Sequence, residues 1–168
     1  MSDPSTTQER SELVSSLGAQ REHILGILDG LSDEDLRRPV LPSGWVCLGL
    51  VQHLAVDVEQ WWFRRIVAGQ DIQPDESPAL AWRVTQKQSA EAVFALYRHQ
   101  IELANAIIAA TPLDAAPAYW PEERWPNWRL HDLREVMLHV ITETAVHAGH
   151  LDAVRELIDG RRWLVLTG

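Results

Sequence analysis

The chain has a single cysteine, Cys47, so no intrachain disulfide can form. Basic residues are scarce: 15 Lys and Arg stand against 24 Asp and Glu, a net charge of −9. That balance disfavours a surface that tracks nucleic-acid phosphates or rests on an anionic membrane. No apolar run is long enough to span a bilayer and no signal-peptide core is present, so the sequence reads as cytoplasmic. Strand-length alternation, internal repeats and low-complexity tracts are also missing, which removes the argument for a sheet or a solenoid. Phe and Tyr number only two each.

What is present is helical periodicity and tryptophan. Eight Trp skew the aromatic content toward the largest side chain, which suits pocket walls as well as cores. A length of 168 residues fits one domain, 1–168, with a proper core. After a polar start at 1–7 that should fray, Leu13, Leu17, His23, Ile24, Ile27 and Leu28 mark a first helix over about 8–29, stopped by Gly30. Ser32 caps a short acidic turn at 32–35. A second helix is expected over about 46–68, with Leu50, Leu54, Val58, Trp61 and Trp62 inward and Gly69 as its stop. An acidic, proline-bearing linker follows at 71–78. A third helix is expected over 79–110, with Val84, Ala92, Val93, Leu96, Ile101 and Ile107 inward, ended by Thr111-Pro112. Four helices with two long connections imply an all-α four-helix bundle with long crossover connections rather than simple up-and-down order.

The last helix, expected over 130–160, carries the unusual polar residues. His139, Glu143 and His147 stand at i, i+4 and i+8, with His150 three residues later, all along one side. At about 100° per residue, His147 lies roughly 40° from the middle of the apolar arc, Glu143 roughly 80°, His150 roughly 100° and His139 roughly 120°. An ionised carboxylate that close to a core must be paired, hydrogen-bonded or bound to a metal. Spacing alone leaves the reading open among a metal site, a buried Glu and His paired with each other, and simply a histidine-rich amphipathic face. On the second helix His53, Asp57, Gln60 and Arg64 form a polar flank. His53 is a third ligand by residue type, although it lies beside the apolar arc. Asp57 reads as its partner, as a substitute ligand or as an ordinary surface acid. His23 and His99 read as structural or surface histidines, and Cys47 has no base near it in sequence. The proline-punctuated loop at 113–128 holds Trp120, Trp125 and Trp128. It is either a plug over the bundle end or the wall of a pocket.

Ser43-Gly44-Trp45, then Gly49 to Leu54 with His53, then His139, Glu143 and His147-Ala148-Gly149-His150, with Arg155-Glu156 and Asp159-Gly160, resemble the DinB-like superfamily over nearly the whole chain. They look most like its branch of mycothiol-dependent transferases. The resemblance implies a four-helix bundle holding one divalent metal through His53, Glu143 and His147. Glutamate at the middle position is similar to the mycothiol-dependent maleylpyruvate isomerases. Zinc is the first expectation for the ion, with nickel or iron as alternatives. Three protein ligands leave a coordination position open, the mark of a catalytic site. A bound thiol would lose its proton there. The function implied is transfer of a low-molecular-weight thiol, mycothiol or bacillithiol, to a small electrophile, or a thiol-dependent isomerisation. Trp120, Trp125 and Trp128 are the candidate cofactor-binding residues, and His150 and His139 the candidate catalytic ones. Metal-dependent hydrolysis and a non-catalytic, stress-related metal-binding bundle are the alternatives. The expected partners are small molecules, with a homodimer left open.

Overall fold

A computed structural model describes residues 4–72 and 81–163, and every regular element among them is a helix. Residues 1–3 of the polar start, most of the acidic linker and residues 164–168 lie outside the described part. Helix α1 spans Pro4–Leu28, so the segment expected to fray is already helical from residue 4. A proline at the first helical position lacks only an N–H that would have had no intrahelical partner. The short α2, Asp33–Leu36, is capped as its sequence suggests, with Ser32 Oγ accepting from the Asp35 N–H at 3.1 Å.

The second long helix has the expected extent but an unexpected winding. It begins as α3, Cys47–His53, and continues over Leu54–Val67 as a π-helix, closing with the Ala68 N–H on the Phe63 carbonyl at 3.0 Å. Its buried residues explain the need for a wider turn. Apart from Trp61, they fall as pairs at 54/55, 58/59, 62/63 and 66/67, a repeat of four residues. An α-helix would rotate each successive pair by about 40°. Closure from i to i+5 lowers the rotation per residue and so acts against that drift.

Helix α4 covers Ala90–Ala110 and starts eleven residues later than the sequence pattern suggests. Residues 82–88 form turns instead, because their backbone is held by α3: Gln52 Nε2 donates to the Ala81 and Arg83 carbonyls at 2.9 and 3.2 Å. The helix opens where Ser89 can cap it, its Oγ accepting from the Ala92 N–H at 3.1 Å. The buried line of α4 is Val93, Tyr97, Gln100, Ala104 and Ile108; Ala92, expected inward, is exposed. Helix α5 covers Leu133–Asp159, capped by Asp132 and closed by Gly160 at φ 77°, so residues 130–132 are not helical.

Contacts between helices give their directions. Gln88 donates to Gln52 and Arg64 to Gln100, both 36 residues apart, so α4 runs parallel to the α3/π helix. His53 meets His147 while Trp62 meets His139, so α5 runs antiparallel to it. Arg134 holds Glu9 at one end and Arg155 donates to the Ile27 carbonyl at the other, so α1 and α5 are parallel. With the π-helix and α4 parallel, the end of one at Val67 and the start of the other at Ala90 lie at opposite ends of the bundle, the crossover order expected from the long loops.

Inside the bundle, Arg21 of α1 donates to both carboxylate oxygens of Glu59 at 2.7 and 2.6 Å and to Asn105 of α4 at 2.8 Å. Both charged side chains are buried. The bidentate geometry is what makes such burial tolerable.

Candidate metal centre

His53 sits where α3 gives way to the π-helix, and two neighbours fix its ring. Nδ1 lies 2.8 Å from Asp57 Oδ2, one turn on. As a donor there, Nδ1 leaves Nε2 as the nitrogen free to bind. The indole of Trp82 stacks on the ring at 4.3 Å and 20°. Trp82 can do so because Gly49 has no side chain: a Cβ on Gly49 would stand 2.3 Å from the Trp82 carbonyl oxygen.

Glu143 and His147 reach the same point from α5. Glu143 Oε1 lies 3.7 Å from His53 Nε2 and 3.7 Å from His147 Nε2, and one ligand atom from each of the three residues lies within 4.8 Å of the others. These separations are too long for hydrogen bonds. They suit atoms sharing one ion, since ligands about 2.1 Å from a tetrahedral zinc stand roughly 3.4 Å apart. His53 Nε2 is buried with no hydrogen-bond partner, which leaves a buried acceptor needing a cation or a donor. The donor set and this orphaned nitrogen fit a divalent metal.

The electrostatics follow from the same contacts. His147 and His53 hold the Glu143 carboxyl well below the usual carboxylate range, against the opposing effect of burial. Burial lowers the His53 imidazole, but Asp57 and Glu143 more than offset it, and the net shift is upward. Burial lowers His139, with Glu143 opposing. Cys47 is buried and its thiol is raised to about 11, so it is no thiolate near neutral pH.

Beside two of the three candidate ligands, His53 and Glu143, opens a cavity of about 390 Å³. His53, Glu143 and His139 form its polar side, and Trp62, Trp125 and Trp128 its apolar side. His139 is only 28 % exposed, against 32 % for Glu143, although its helical angle puts it further from the core. The rings of Trp62 and Trp128, at 4.5 and 5.5 Å, cover it. His150 is exposed and outside the cavity wall, 5.6 Å from the His147 ring and 6.3 Å from Trp45. His23 pairs with Asp152 at 2.7 Å and His99 is exposed, both away from the centre.

The tryptophan loop divides between the two roles open to it. The Ala118 and Tyr119 N–H groups bond the Val67 and Ile66 carbonyls at 3.2 and 3.1 Å, anchoring the loop to the end of the π-helix. Trp120 is buried 5.5 Å from both Trp125 and Trp128 and backs them without lining the cavity. Trp125 stacks on Trp62 at 5.5 Å and 8° and faces the cavity, as does Trp128. The periodicity missed Trp82, which it assigned to a helix, and Arg124. Gly49, a glycine inside a helix with no turn to make, was the available signal for the first. Nothing in the sequence marked the second.

A family model described as mycothiol-S-transferase matches residues 12–160. No curated protein and no solved structure matches the chain.

Proposed function

The chain belongs to the mycothiol-S-transferase family of DinB-like proteins, and we propose that it transfers a low-molecular-weight thiol to a small electrophile at the centre formed by His53, Glu143 and His147. The observation that carries this reading is the convergence of three ligand atoms beside a cavity large enough for a reactant. A divalent ion held by those residues, zinc first, with nickel or iron as alternatives, would supply positive charge that stabilises a thiol as its thiolate. Mycothiol is the thiol the family favours, and bacillithiol the alternative. The protein's own residues do the rest. Asp57 and Trp82 hold the His53 ring in place. His139 is kept neutral near pH 7 by burial and lies at the cavity, where it can accept the thiol proton. Trp125 and Trp128 give the reactants an apolar wall that excludes water. His150, exposed beside the His147 ring and outside the cavity, takes no step in this reading. The reaction fits a cytoplasmic enzyme, since low-molecular-weight thiols are held reduced there.

The test is metal analysis of the purified protein together with mycothiol conjugation to monochlorobimane. Wild-type protein should bind one ion and form conjugate, and Glu143→Ala should lose both. Metal binding unchanged in Glu143→Ala would move the site one turn along α5, to His139 or His150. Bound metal with no conjugation of either thiol would overturn the transferase reading. The placement of neutral His139 at the cavity favours one second reading, metal-assisted hydrolysis with His139 as base. It predicts turnover of an activated ester with no thiol present.

A further inference from the structure

Among the described residues that wall the cavity, Arg124 is the one arginine or lysine. Its guanidinium lies 5.2 Å from the ring centroid of Trp125 and 5.7 Å from that of Trp61, and both rings line the same cavity. It forms no ion pair with any described carboxylate. Glu122, two residues away, is taken at 2.6 Å by Arg129. The acids of the cavity are engaged as well: Asp57 holds His53 and Glu143 faces three imidazoles. Among the described residues, then, no carboxylate offsets the charge of Arg124 at the edge of this aromatic wall. In a chain of net charge −9 the overall field repels anions, so an anion would be held here only by a local contact. Arginine is suited to that contact, because its planar fork binds a carboxylate through two hydrogen bonds while its face stays on an indole. The wall itself takes flat molecules. Trp62 and Trp125 lie parallel within 8°, and Trp82, stacked on His53, lines the same cavity.

We infer that the electrophile received at this site is a flat, largely apolar molecule carrying a carboxylate, with its plane against the tryptophan wall and its negative charge on Arg124. The inference deepens the transferase reading and rests on it for the role of the cavity. It assigns the specificity of the site to a loop residue that touches none of the metal ligands.

The experiment is calorimetric titration of the full-length, metal-loaded protein with 2-naphthoate and with 2-naphthamide, which share a frame and differ in charge. Wild-type protein should bind naphthoate on the order of tenfold more tightly, as a charge-assisted contact at a partly open site would give. Arg124→Gln should abolish the preference while leaving naphthamide binding unchanged, and Arg124→Lys should keep part of it. Trp125→Ala should weaken both ligands together. Equal binding of the two by wild type, failure of both to bind, or a preference that survives Arg124→Gln would each overturn the inference. The last result would place the carboxylate on the metal side. No thiol is present in this titration, so its failure is distinct from a failure of thiol conjugation.

Discussion

At His53 the ring is oriented by a carboxylate, Asp57, at 2.8 Å from Nδ1. Partners of this kind set the tautomer of a ligating imidazole and raise its basicity. Asp57→Asn should therefore weaken metal binding by about 10–100-fold while leaving the fold intact, measured by competition with a chromophoric chelator. Affinity equal to wild type would make Asp57 an ordinary surface acid. The same residues fix a pH dependence. The net upward shift of His53 means the metal-free fold favours its protonated form. That contribution to stability is fully present below the unfolded value near 6.5 and is lost as pH rises through the folded value. Metal binding needs the neutral ring, so its contribution runs the opposite way. The gap in Tm between metal-loaded and metal-free protein should widen from pH 6 to pH 8. A gap that narrowed would remove His53 from the ligand set. The depressed Glu143 contributes stability present above its ordinary value, lost only as pH falls well into the acid range.

At the scale of elements, the centre depends on a turn that regular periodicity would have made helix. Residues 81–83 are clamped on α3 by Gln52, and Gly49 allows the Trp82 carbonyl to approach the helix closely. A methyl group at Gly49 meets backbone at 2.3 Å, which cannot move aside as a flexible side chain would. Gly49→Ala should displace Trp82 from His53 and cost about 1–3 kcal/mol, the usual range for overpacking a filled site. Chemical denaturation would give the stability change, and metal affinity should fall with it. If stability and affinity were both unaltered, the turn would be far more yielding than its contacts imply.

For the whole molecule, the Arg21–Glu59–Asn105 cluster joins α1, the π-helix and α4 at one point. Removing one partner leaves the other charge buried and uncompensated. Glu59→Ala should destabilise the protein by about 3–5 kcal/mol, on the order of 10 °C in Tm for a chain of this size. Replacing both, as Arg21→Met with Glu59→Leu, should cost much less, because no buried charge remains. Equal losses in the single and double variants would show that the cluster contributes through packing rather than charge.

The sequence by itself determined the helices whose signals are local. The apolar spacing of α1 and α5, the cap at Ser32 and the stop at Gly30 depend on neighbours a few residues away, and all were readable. The resemblance carried by His53, Glu143 and His147 pointed to a ligand set whose atoms the fold then brings within 4.8 Å. What local pattern could not decide was anything set by contacts between distant segments. The late start of α4 follows from Gln52 holding the 81–83 backbone, and the cover on His139 comes from Trp62 and Trp128 on other elements. The division of the tryptophan loop, with Trp120 as backing and Trp125 and Trp128 as wall, depends on where that loop meets the end of the π-helix. Helical angle measures a side chain's direction from its own axis. Burial and placement in a cavity depend on what the rest of the bundle puts beside it.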